Sequence, residues 1–165
     1  MSRGVSALLA STAFALTACG ASDVALRPAD LSDADRRTCE AFVEALPDEL
    51  AGMGRREVPT SDETEGSAPV GAAYGDPAIT VQCGVPVPEE FDRTQTCELA
   101  NDVGWYVPTT VFDDQGADVT MTTAGYRPVV ELRLPAQYRP DGPAAATAEL
   151  AAAVKTHTEL VEPCD

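Results

Sequence analysis

Positive charge is scarce in this chain. It has 11 Lys and Arg against 27 Asp and Glu, a formal net charge of −16 with its single histidine neutral. Such a surface repels phosphate backbones and anionic headgroups, so nucleic acid is excluded as an expected partner. One imidazole cannot complete a nitrogen-and-sulfur zinc site once the cysteines are otherwise engaged, and no metal or cofactor is expected. Serine is nearly as rare: past residue 18 there are only Ser22, Ser32, Ser61 and Ser67. They fall in a tether, a helix cap and a polar loop, where no scaffold holds a nucleophile against a base and oxyanion donors. The glycines sit at turn positions, none in a phosphate-cradling strand-to-helix fingerprint. No catalytic residue is assigned. Apolar runs long enough to cross a bilayer are missing too.

What the chain does have begins at its start. Arg3 precedes an uncharged run over 5–18 whose body is Ala7, Leu8, Leu9, Ala10, Ala13, Phe14, Ala15 and Leu16. A short apolar stretch behind one basic residue and ending in small residues is the layout of an export signal. Its end, Leu16-Thr17-Ala18-Cys19, resembles the lipobox of bacterial lipoproteins, in which the cysteine thiol is diacylated and the signal then removed. That resemblance implies a mature chain beginning at lipidated Cys19, bound to the membrane through that lipid, on the extracytoplasmic face of the cell membrane. Two or three acyl chains anchor stably where one does so marginally. The expected organisation is a signal peptide over 1–18, a lipidated tether over 19–30 and a single α+β domain over 31–165. Arg3 is the one charged residue lost with the signal, so the mature chain keeps 10 basic residues against 27 acidic ones, a charge of −17.

Five cysteines less Cys19 leave Cys39, Cys83, Cys97 and Cys164, an even number in an oxidising compartment, and two disulfides are expected. Four cysteines allow three connectivities. The favoured one joins Cys83 to Cys97 across a short loop and Cys39 to Cys164 between the ends of the domain.

Along the domain, Ser32 with Asp35 three residues later marks a helix start, and Cys39, Phe42, Val43 and Leu46 recur on one face until Pro47. A short edge strand is expected over 55–58 and an exposed polar loop over 59–69. After the turn Tyr74-Gly75-Asp76-Pro77, Ile79, Val81 and Cys83 alternate with Thr80 and Gln82 as in a strand. Strands are further expected over 97–100 and 103–107 around the turn Asn101-Asp102, over 109–112 and 118–123 around an acidic turn, and over 127–134. An alanine-rich helix covers 144–160. The fold class is α+β: an antiparallel sheet of four to six strands with an N-terminal and a C-terminal helix.

Several residues carry a functional and a plain reading side by side. Trp105 beside Tyr106 is either core or a stacking platform for sugar or peptide. Asp76 is either turn chemistry or the lining of a binding site. Arg127, next to Tyr126, either pairs with Asp76 or Glu131 or meets a ligand carboxylate. His157, at helical spacing from Leu150 and Val154, is a packing residue or a base. Asp113, Asp114 and Asp118 around Gly116 miss the calcium-loop register of an EF-hand and read as a solvated turn. Asp76, Trp105, Tyr126 and Arg127 are the candidate binding residues.

With these residues in view, the chain resembles an actinobacterial family of exported lipoproteins known as domain of unknown function 3515. The resemblance rests on Cys39, Leu46-Pro47, Arg55-Arg56, Gly75-Asp76-Pro77-Ala78-Ile79, Cys83-Gly84-Val85, Trp105 and Gly125-Tyr126-Arg127-Pro128. Tyr74 departs from it, standing where tryptophan is expected. The family implies the address and fold but brings no activity, cofactor or catalytic residues. The expected function is a lipid-anchored, non-enzymatic binding or accessory module that meets an envelope protein or cell-wall component through its sheet face and the loops at Asp76 and Arg127. The alternative is a carboxylate-type hydrolase of envelope glycans or peptides.

Overall fold

The structure, a computed structural model, describes residues 24, 26–58, 68–89, 91 and 97–164. The export segment, Cys19 and most of the loop expected over 59–69 lie outside the described residues. The first helix, α1 (Asp33–Glu44), starts as its sequence dictates: the Ser32 hydroxyl accepts from the Asp35 amide at 3.1 Å and donates to the Asp35 carboxylate at 2.7 Å. No basic residue occupies its last turn. Instead, Arg55 reaches in from a neighbouring strand and donates to the carbonyls of Val43 and Leu46, satisfying helix-end acceptors with a cation.

Strands β1 (Glu49–Leu50), β2 (Met53–Arg56), β3 (Val70–Tyr74) and β4 (Ile79–Cys83) form an antiparallel meander. A second meander follows, of β5 (Cys97–Ala100), β6 (Val103–Tyr106) and, after the short helix α2 (Thr110–Asp113), β7 (Val119–Thr123). After β8 (Tyr126–Arg127), strand β9 (Val130–Leu134) enters between β4 and β7 and joins the halves. A 3-10 turn, Ala136–Tyr138, leads to α3 (Gly142–His157) and then to β10 (Glu159–Leu160). The result is an eight-stranded sheet in the order β1-β2-β3-β4-β9-β7-β6-β5 and a two-stranded β8-β10 ribbon. The expected α+β class stands, with more strands than the four to six anticipated.

Both long helices lie on one face of this sheet and touch each other, α1 over β3 and β4, α3 over β5, β6 and β9. Alternation along the strands decides what faces them. Ile79, Val81, Cys83, Val130, Leu132 and Leu134 are fully buried with Phe42, Leu150 and Val154 from the helices. Two tight turns hold α3 in place. Asn101 and Asp102 both adopt positive φ (47° and 65°), the geometry of a two-residue hairpin turn, and the Asn101 side-chain amide donates to Ala148 O at 3.0 Å. Ala51 and Gly52 do the same between β1 and β2, where the Ala51 amide donates to the Glu149 carboxylate at 2.9 Å.

Five expectations are corrected. Strand β3 carries no sequence signal, because Gly71, Ala72 and Ala73 give no hydrophobic period; Gly71 has a packing cause, since a Cβ there would fall on the Val81 carbonyl. The expected strand over 109–112 is a single helical turn, in which the Val111 and Phe112 amides donate to Pro108 O and Thr109 O, each at 3.0 Å. The strand over 127–134 divides at Pro128, which has no amide for a ladder. The last helix ends at His157, and the chain then pairs as β10 with Tyr126–Arg127.

The fifth correction is the disulfide pairing. Cys39 joins Cys83, with Cα atoms 5.4 Å apart, and Cys97 joins Cys164 at 6.3 Å. Cys83 lies on the helix-facing side of β4, directly under α1. Cys97 lies on the edge strand β5, four strand spacings away, or roughly 19 Å at ~4.8 Å each, far outside disulfide reach. The β8-β10 pairing brings the chain end back to the sheet, so Cys164 meets Cys97 over Gly104, where any Cβ would collide with the Cys164 sulfur.

Candidate functional site

The four residues singled out from sequence do not meet. Asp76 lies in the turn before the first residue of β4, while Arg127 lies just before the strand residue paired with the last residue of β4. They stand at opposite ends of the central strands. Asp76 faces Arg56 at 3.7 Å, and Arg127 donates to the carbonyl of Tyr126 at 2.7 Å. Glu131 is held by Arg27. Tyr126 is buried, its hydroxyl 3.5 Å from Asp102 O, and burial raises its pKa, with the nearby Asp102 carboxylate adding to the rise. Trp105 is fully buried beneath α3, so the platform reading gives way to the core one. His157 is half-buried at the end of α3.

The acidic turn is likewise committed to structure. Asp114 accepts from the Gly116 amide at 2.8 Å, closing the turn on itself. Asp118 accepts from Arg133 at 2.9 Å and from the Ala136 amide at 3.1 Å. Among the described residues, no three histidine, cysteine or acidic side chains converge as metal ligands. The Arg133 hydrogen bond, then the Ala136 amide, holds the Asp118 carboxyl below its ordinary value. Because the folded value lies below the unfolded one, this interaction stabilises fully above about pH 4 and is lost as pH falls through the lowered folded value. Asp118→Asn is therefore expected to flatten the acid limb of a stability-against-pH curve measured by urea titration, modestly, since the pair is exposed.

A concavity lies elsewhere, under α3. A cleft of about 590 Å³ opens where the N-terminal half of α3 leaves the β5-β6-β7 edge of the sheet. Its floor is Trp105, Val107, Val119 and Met121, all facing the helix layer by strand alternation. Thr147, Ala144 and Ala148 form the helix wall, and α2 with Val111 and Phe112 forms the opposite lip. Phe112, 59% exposed, stands at the mouth and is one of the few large apolar side chains left in water among the described residues. A single exposed apolar residue is ordinary, and it is the apolar floor together with the cleft's volume that has the form of a small-molecule site.

Arg139 shapes this lip. Its guanidinium donates to Asp114 O at 2.7 Å, Ala117 O at 3.2 Å and Val111 O at 2.9 Å, gathering the carbonyls of the α2 segment around one cation. No carboxylate neutralises that cation among the described residues. The Trp105 indole N–H is buried and has no hydrogen-bond partner among them either. An indole is a donor only, so what it lacks is an acceptor. Sequence reasoning missed Phe112, Arg139 and Thr147 as a group because they come from three separate parts of the chain, α2, the segment before α3, and α3 itself.

A second cavity, about 650 Å³, lies on the opposite sheet face among Pro86, Pro88, Tyr106, Thr120 and Thr122. That face is partly covered by the chain before α1. The Arg27 amide donates to the Gln82 side chain at 3.0 Å, the Gln82 amide returns a bond to Arg27 O at 2.5 Å, and Ala29 is buried. Within the tether expected over 19–30, the described residues from Leu26 onward lie on this face, with Leu26 against Gly71.

No curated protein and no solved structure gives a significant match to the chain. Over residues 4–162 it matches the model of the family described as Protein of unknown function (DUF3515), and by that coverage it belongs to this family.

Proposed function

We propose that the chain is an exported lipoprotein, cut ahead of Cys19 and held by lipid on that cysteine at the outer face of the cell membrane, where its folded part serves as a non-enzymatic binding or accessory module. The observation carrying this reading is the fate of the thiols. The structure pairs the four cysteines past Cys19 with each other, so the thiol that follows Leu16-Thr17-Ala18 has no disulfide partner to spare. Extended chain covers at most about 3.6 Å per residue, so the seven steps from Cys19 to Leu26 hold the docked segment within about 25 Å of the anchor. A surface charge of this sign then keeps the domain off anionic headgroups.

Binding is favoured over hydrolysis by the state of the carboxylates. Asp118, Glu131 and Asp76 each face an arginine, and the Asp118 carboxyl is pulled below its ordinary value, which suits an ion pair and not a general acid. The partner is an envelope protein or cell-wall component, met by more than one patch, since Asp76 and Arg127 stand at opposite ends of the central strands and do not form one surface.

Metabolic labelling with a clickable palmitate analogue tests the anchor. The native chain should take up label and partition with membranes, and Cys19→Ala should abolish both. Equal labelling of the two chains would refute the assignment.

A further inference from the structure

From the cleft between α3 and the β5-β6-β7 edge, we infer that this protein binds a small amphiphile, an apolar body ending in a carboxylate. The inference deepens the binding half of the function proposed above and rests on it. Three features of the cleft converge on that chemistry. Its floor is apolar, Val107, Val119 and Met121, and Phe112 stands at the mouth. Its volume, about 590 Å³, is that of a small-molecule site. Beside the lining side chains Glu98, Asn101, Gln115 and Thr147, two of its polar residues bring donors that no side-chain acceptor meets among the described residues. Trp105 brings a buried indole N–H with no partner among the described residues. Arg139 brings a guanidinium whose bonds all go to backbone carbonyls, leaving its formal charge unmatched by any carboxylate among those residues.

A buried donor left unpaired is costly, and an apolar wall left wet is costly too. One ligand relieves both if its body covers the wall and its oxygen serves the donors. A carboxylate suits best, because it answers the uncompensated Arg139 cation as well as the indole, and charge-assisted hydrogen bonds are about twice as strong as neutral ones. An alcohol of equal length covers the same wall but offers no charge. An amine offers donors to donors. Glu98, paired across the strands with Trp105, stands exposed at the rim, where water screens it from the ligand carboxylate.

Because Trp105 is the sole tryptophan and forms the floor, the cleft reports its own occupancy. The test uses the full chain carrying Cys19→Ala, so that no attached lipid competes. It is titrated in detergent-free buffer with 12-bromododecanoate, whose bromine quenches tryptophan emission at contact range. Saturable quenching is expected, with binding roughly tenfold weaker for 12-bromododecanol, the difference a charge-assisted bond supplies. Ala148→Phe and, separately, Ala144→Phe place a ring in the cleft from partly or fully exposed positions on α3 and should each abolish saturation while leaving the far-ultraviolet circular dichroism unchanged. Quenching that rises linearly, that persists in both filled variants, or that is as strong with the alcohol as with the acid overturns the inference. Because anchoring is tested by palmitate labelling at Cys19, failure here leaves that reading standing, and failure there leaves this one.

Discussion

Replacing Cys39 and Cys83 together by alanine is expected to lower the stability of the domain by about 4 kcal/mol or more. The bond closes a loop with a sequence separation of 44, and the chain-entropy estimate for such a loop is about 4 kcal/mol. Position adds to entropy here. Both cysteines are fully buried, and their bond is the covalent tie between α1 and the sheet it covers. The Cys97–Cys164 bond spans 67 residues and has a similar entropic worth of about 4 kcal/mol, but it sits half-buried at an edge and staples the chain end. Urea titration of the two double variants should therefore show both weakened and the Cys39/Cys83 variant more so. A Cys39/Cys83 variant within about 1 kcal/mol of the parent would mean that α1 is held by packing alone.

Leu132→Ala is the second large effect, with an expected loss of about 3 kcal/mol and a melting temperature lower by roughly 10 °C. Leu132 is fully buried at the middle of β9, opposite Val81 of β4 on one side and Met121 of β7 on the other. Because β9 is the strand through which the two meanders communicate, a cavity at Leu132 is walled by both, and neither can collapse into it without moving the other. The adjacent Arg133 supplies the control. Its side chain points to the opposite face and pairs with exposed Asp118, so Arg133→Ala should cost less than about 1 kcal/mol. Scanning calorimetry on the two variants decides the matter; comparable losses would contradict the placement of β9 at the centre.

Elements with strong local signals were legible in the sequence. Ser32 and Asp35 announce α1, the Ile79-Val81-Cys83 alternation announces β4, and Asn101-Asp102 sits at the hairpin turn between β5 and β6. Elements defined by what lies against them were not. Strand β3 has glycine at position 71 because the Val81 carbonyl and Leu26 crowd it there, and no period of hydrophobicity records that crowding. The α2 turn exists because Arg139, some 25 residues further on, collects its carbonyls. The disulfide pairing depended on strand order: only once β9, β7 and β6 are known to separate β4 from β5 does Cys83–Cys97 become geometrically closed. The cleft shares this character, since its floor, lip and cation come from β6, α2 and the segment before α3.

The account turns on the separation of Cys19 from its four siblings, and one measurement addresses it whole: the intact mass, without reduction, of the chain extracted from membranes. The expected product begins at Cys19, carries acyl chains and has lost the hydrogens of two disulfides. A chain that retains residues 1–18, or one free of lipid, or one whose other cysteines still titrate as thiols, would contradict it.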